Sequence, residues 1–119
     1  MKTLQEQRFT KADWVLFRKK LPGWQEAYMD KLNQEYIVLL TGEGSPSDKF
    51  WELYKRIRED KRGPGVLLRI SRTDFICNLI ALINDGVISM KDLEDFSDNL
   101  RDTISAFLDR SHWDFTDEE

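Results

Sequence analysis

Cysteine and histidine are nearly absent from this chain: there is one of each, Cys77 and His112, in 119 residues. A single cysteine cannot close an internal disulfide, and two such residues fall short of a zinc ligand set. They also make a poor nucleophile–base pair, because Cys77 lies in an apolar stretch suited to burial and His112 in a polar tail. No serine stands in a G-x-S-x-G setting and no G-x-x-x-x-G-K-[ST] loop is present. The expectation is therefore no catalytic residues, no metal and no cofactor. No apolar run approaches the roughly 18 residues needed to cross a bilayer. Met1–Arg8 is polar and lacks the apolar core of a signal peptide. These absences point to a cytoplasmic protein without a membrane role.

Helix-forming features are abundant. The composition is 40% hydrophobic and 34% charged, with 12% aromatic residues, which suits a folded domain with a highly charged surface. Thr10-Lys11-Ala12-Asp13 resembles a capping box, and Trp14, Phe17 and Leu21 follow at helical spacing. Pro22-Gly23 reads as a break, which limits the first helix to about Lys11–Lys20. A second helix, about Pro22–Leu40, carries the stripe Trp24, Tyr28, Leu32, Tyr36 and Leu39/Leu40. Gly42–Pro46 is a turn.

Ser47 or Asp48 is positioned to cap a third helix, about Asp48–Arg62, with Phe50, Leu53, Tyr54 and Ile57 as its inner face. Gly63-Pro64-Gly65 stops it, and Val66–Ile70 is a short extended segment or a strand. Ser71-x-x-Asp74 precedes a fourth helix, about Arg72–Asn84. That helix is apolar over most of its circumference and closes at Asp85-Gly86. Ser89-x-x-Asp92 precedes a fifth, about Met90–Arg110. At 100° per residue its Leu93, Phe96, Leu100, Ile104, Phe107 and Leu108 span an arc of about 120°, with Asp95, Asp98, Asp102 and Asp109 almost opposite. The expectation is an all-α, compact bundle of about five helices in a single domain, with residues 1–9 and 112–119 as frayed termini.

The net charge of −4 conceals a division along the chain. Residues 1–48 are neutral, 49–72 carry +5 and 73–119 carry −9. Lys55, Arg58, Lys61, Arg62, Arg69 and Arg72 form a candidate basic patch for phosphate or nucleic acid. The glycine turn at 63–65 suits a helix stop better than an anion cradle, because Pro64 lacks an amide hydrogen. The fourth and fifth helices resemble a helix-turn-helix, but the acidic face of the would-be recognition helix would repel a duplex.

Trp51 stands off the apolar stripe of its helix, as Trp113 does beyond the last stripe, and exposed tryptophan is enriched at binding hot spots. Trp51 with Asp95, Asp98, Asp102 and Asp109 is the candidate interaction face. The favoured reading is a non-enzymatic protein-interaction module, with a homodimer as the default partner. Nucleic-acid or anion binding through 55–72 is one alternative. An acidic immunity-type or antitoxin-type protein that neutralises a basic partner is another.

Several segments together resemble a known family. They are Asp48-Lys49-Phe50-Trp51-Glu52-Leu53, Ile57-Arg58-Glu59-Asp60-Lys61, Pro64-Gly65-Val66, Ser71-Arg72, Gly86-Val87-Ile88, Asp92-Leu93 and Phe96-Ser97-Asp98-Asn99-Leu100. They resemble a family of small, uncharacterised, all-helical bacterial proteins, some with transporter-related labels, over most of residues 9–108. The resemblance implies a bacterial helical protein and supplies no catalytic residues. A transporter role does not carry over to a chain without a span.

Overall fold

Thr10 opens the first helix as its sequence suggests. Its Oγ1 accepts from the Asp13 amide at 3.0 Å, and the Asp13 carboxylate accepts from the Thr10 amide at 2.9 Å. The computed structural model describes residues 8–117, with side chains from Arg8 to Arg110. Its helices are α1 (Lys11–Thr41), α2 (Pro46–Asp60), α3 (Phe75–Asn84) and α4 (Asp98–Asp117), with a 3-10 turn at Met90–Leu93. The chain is all-α. No strand occurs among the described residues, and 67–70 is an irregular linker.

Two expected boundaries are corrected. The first and second helices are one helix of 31 residues that runs through Pro22. An interior proline removes one backbone hydrogen bond and costs about 3 kcal/mol. Pro22 and the Arg18 carbonyl it leaves unpaired lie at exposed positions, where water can satisfy the carbonyl. Phe17 and Leu21, the residues just before Arg18 and Pro22, are fully packed, and burial of about 1.5–3 kcal/mol per such side chain offsets the loss.

The second correction is at the other end. The expected helix 90–110 is interrupted at Glu94–Ser97, because Ser97 is engaged elsewhere. Its amide and its hydroxyl both donate to the Asp13 carboxylate, at 2.8 and 2.6 Å, while its Oγ accepts from the Leu100 amide at 3.2 Å. Ser97 thereby caps α4 and ties it to the first turn of α1. Asp13 is only 3% exposed, so this buried carboxylate, holding three hydrogen bonds, is the polar joint of the core.

The core lies around this joint. Phe9, Phe17, Leu21, Phe75, Ile76, Leu79, Leu82, Ile88, Leu93, Phe96, Leu100 and Ile104 form one buried cluster. Phe75 is its hub, with ring centroids of Phe9, Phe17 and Trp14 at 4.8, 4.9 and 5.4 Å. Phe9 is buried, so it belongs to this core and not to a frayed terminus. The last helix continues to Asp117, past the expected end at Arg110. The side chains of His112 and Trp113 lie outside the described residues.

Gly86, at φ +76°, closes α3 with the expected left-handed residue. The Val87 amide bonds Leu82 O at 2.9 Å and the Gly86 amide bonds Ile83 O at 3.0 Å. Ser71 and Asp74 form their hydrogen-bonded box, but as a turn before α3, which begins at Phe75.

Beyond Trp24 the cluster ends and α1 continues, accompanied by α2. Between Pro22 and Asp60 only Leu32 is a buried apolar residue. The molecule is long, 62 × 39 × 22 Å, and its radius of gyration of 17.6 Å exceeds the about 13.5 Å of a compact chain this size. The expected compact bundle is instead a packed head with a two-helix arm.

The joint yields a prediction. Asp13→Ala leaves the Ser97 amide and hydroxyl without their acceptor, and urea denaturation should show a loss of about 2–3 kcal/mol. Asp102→Ala, at an exposed position, should change stability by less than about 0.5 kcal/mol.

Candidate interaction surface

The arm is an antiparallel helical hairpin fastened at several points. Gly44, at φ +134°, turns the chain, and Ser45 caps α2 by accepting from the Asp48 amide at 3.1 Å, with Pro46 in the first turn. The cap is therefore Ser45, two or three positions before the expected Ser47 or Asp48. Midway, the Arg56 guanidinium pairs with Glu35 at 2.9 Å and lies 5.5 Å from the centre of the Tyr36 ring. The Tyr36 hydroxyl donates to Asp60 at 2.5 Å. Burial, then this hydrogen bond and the Asp60 charge, push the Tyr36 phenol up to about 12.

At the base, Gln25 donates to the Pro64 carbonyl at 2.9 Å and Gly65 lies buried against Tyr28. A Cβ on Gly65 would come within 2.3 Å of the Tyr28 ring, so the close approach requires glycine here.

These fasteners use only one side of α2. Leu53, Arg56 and Asp60 are half-buried, while no residue of the helix is fully buried. The expected inner face is corrected: Phe50, Tyr54 and Ile57 are 62, 55 and 44% exposed, Leu53 turns inward, and Ile57 edges the hollow between the arm helices. Trp51 is 63% exposed and continues the same surface. The three rings touch edge to face, with Phe50–Trp51 centroids 5.1 Å and Trp51–Tyr54 centroids 6.0 Å apart. Ile37, Val38 and Leu40 are also exposed at the end of α1. Exposed tyrosine and tryptophan are enriched where proteins dock.

The charged candidates divide differently from expectation. Lys55, Arg58, Lys61 and Arg62 are exposed together at the C-terminal end of α2; Lys55, Arg58 and Arg62 line one shallow hollow with Glu59. The structure does not gather the last two members of the patch there: Arg69 is exposed on the linker, and Arg72 sits 5.9 Å over the Phe9 ring. The glycine turn is poorly suited to an anion. The Arg62 and Gly63 amides donate back to the Glu59 and Asp60 carbonyls of α2, the Val66 and Leu67 amides donate to Gly63 O, and the Asp85 carboxylate abuts Gly63. On the acidic side, Asp95 lies in the turn before α4 and pairs with Lys20 at 3.1 Å, so it leaves the helical face. Asp98 pairs with Arg101, and Asp102 and Asp109 remain exposed on α4. Among the described residues no ion pair joins the basic cluster to α4.

Cys77 is exposed, against the expectation of burial, because α3 packs through Phe75, Ile76, Leu79 and Leu82. No group of three histidine, cysteine or acidic side chains converges on a metal-sized site among the described residues. A hollow of about 260 Å³ between the arm helices is lined by Met29, Leu32, Asn33, Tyr36, Ile57, Asp60, Lys61 and Val66. No described helix is long and apolar enough to cross a membrane. No protein-family model, curated protein or solved structure matches the chain.

Two outcomes test the arm's fastening. A raised phenol pKa stabilises the fold fully below pH 10, the unfolded value, and that stabilisation is lost as pH rises from 10 towards 12. Tyr36→Phe should therefore remove a phenolate that appears near pH 12 in the absorbance titration, and should lessen the alkaline loss of stability. Gly65→Ala should cost about 1–3 kcal/mol through the clash with Tyr28. The relief given by Tyr28→Ala in the double variant measures that contact.

Proposed function

We propose that the protein is a non-enzymatic, cytoplasmic interaction module whose docking surface is the apolar face of the α1–α2 hairpin. The observation that carries this reading is the cluster Phe50, Trp51, Tyr54 and Ile57, exposed on successive turns of a helix that buries none of its own residues. Tyrosine and tryptophan bind with large area and few torsions to freeze, which is why they dominate binding hot spots. A solvated helix gains nothing from such residues, whereas a helix awaiting a partner does. The hollow beside Tyr36 and Asp60 is about 260 Å³, and the larger one of about 610 Å³ along Lys11, Val15 and Lys19 is a shallow, open stretch of one helix, which favours a surface over a pocket.

The basic cluster supports a second reading, phosphate or nucleic-acid binding, through Lys55, Arg58, Lys61 and Arg62. Glu59 lines the same hollow and weakens that case. The immunity-type alternative retains Asp98, Asp102 and Asp109 but loses Asp95 to Lys20.

A photo-crosslinking phenylalanine analogue at position 50, expressed in the source cell, separates these readings. The proposal expects a discrete protein adduct that Tyr54→Asp removes, and none from the analogue at Asn99 on α4. Absence of a protein adduct at position 50 contradicts it. A nuclease-sensitive adduct there would favour the nucleic-acid reading.

A further inference from the structure

We infer that the occupant of this face is a second copy of the chain, its hairpin laid antiparallel on the first so that four helices close one bundle. The inference rests on the docking reading above and names the partner. Area is the first argument. Aromatic side chains bury about 150–250 Å² each, so Phe50, Trp51 and Tyr54 at 62, 63 and 55% exposure offer roughly 350 Å². Ile37, Leu40 and Ile57 bring the face towards the about 800 Å² per partner of a standard interface. An αα-hairpin with one bare apolar face is half of a four-helix bundle, and a two-fold axis lets identical bare faces cover each other.

Charge sets the direction. The tip of the hairpin carries exposed Glu43, Asp48 and Glu52; Lys49, the one cation from 42 to 54, folds back over Gly44. The base carries exposed Lys55, Arg58, Lys61 and Arg62, with Lys31 on α1, in excess over the exposed Glu26, Asp30 and Glu59 there. Parallel arms would set cations against cations, whereas antiparallel arms set each acidic tip beside a basic base, twice per dimer. Tyr54 lies near the middle of Pro46–Asp60 and so falls close to the two-fold axis, with each Trp51 near the other copy's Ile57.

The test uses the full chain with Cys77→Ser, since that exposed thiol would otherwise cross-link. Sedimentation from micromolar to millimolar concentration should show a dimer. Tyr54→Asp should raise its dissociation constant at least tenfold while the circular dichroism of the helices is unchanged. Under mild oxidation Tyr54→Cys should link to itself. Ser47→Cys should not, but should link to Lys61→Cys when the two are mixed. Efficient self-linking at Ser47, or a dimer indifferent to Tyr54→Asp, overturns the antiparallel pairing. A strict monomer together with a foreign protein adduct at position 50 overturns self-pairing and preserves the docking face. A monomer with no adduct overturns both.

Discussion

A 31-residue helix is about 46 Å long, and the core built against α1 covers less than its first half. Most of the arm's properties follow from that mismatch. Because Pro22 does not stop the helix, residues beyond Trp24 project past the cluster centred on Phe75, and α2 is the element that folds back on them. A two-helix hairpin has two broad faces and one shared seam. Here the seam is stitched by Arg56 to Glu35 and by Tyr36 to Asp60, and Tyr28 clamps its base over Gly65. One broad face is left bearing Phe50, Tyr54 and Ile57.

The head solves a different problem. Burying the Asp13 carboxylate would be costly unless its oxygens were hydrogen-bonded, and Thr10 and Ser97 supply those bonds from residues far apart in sequence. The same bonds draw Ser97 out of helical pairing, so the last helix starts at Asp98 and Asp95 swings to Lys20. One buried carboxylate thus sets both where α4 begins and how much of its acidic face survives. The head buries its apolar cluster and leaves scattered side chains such as Val15 exposed, whereas the arm gathers Phe50, Trp51, Tyr54 and Ile57 on one helix. That contrast supports the proposed docking face on the arm.

Much of the head was legible from residue pattern. The Thr10 box, the left-handed Gly86 and the burial of Leu93, Phe96, Leu100 and Ile104 are as expected, since caps and apolar pattern are local signals, although the helix meant to carry those four is broken before Asp98. The Asp13–Ser97 bond was not legible: its partners lie 84 positions apart, and a serine followed three residues later by leucine lacks the acidic half of a box. Pro22-Gly23 misled because local backbone preference was outweighed by the packing of Phe17 and Leu21 on either side of the same turn. The arm misled for a subtler reason. Periodicity shows that Phe50, Tyr54 and Ile57 share a face, but a core face and an interface face have the same spacing. Only the length of α1 relative to the head distinguishes them, and that depends on Pro22. Cys77 is a similar case, a member of an apolar run whose side chain points outwards.

The central claim is that α2 is half of an interface whose other half is supplied by association. Hydrogen exchange measured across a concentration series bears on it most directly. The amides of Pro46–Asp60 should gain protection as concentration rises, while those of Phe75–Asn84, inside the closed head, stay constant. Exchange in α2 that is fast and independent of concentration would contradict the account.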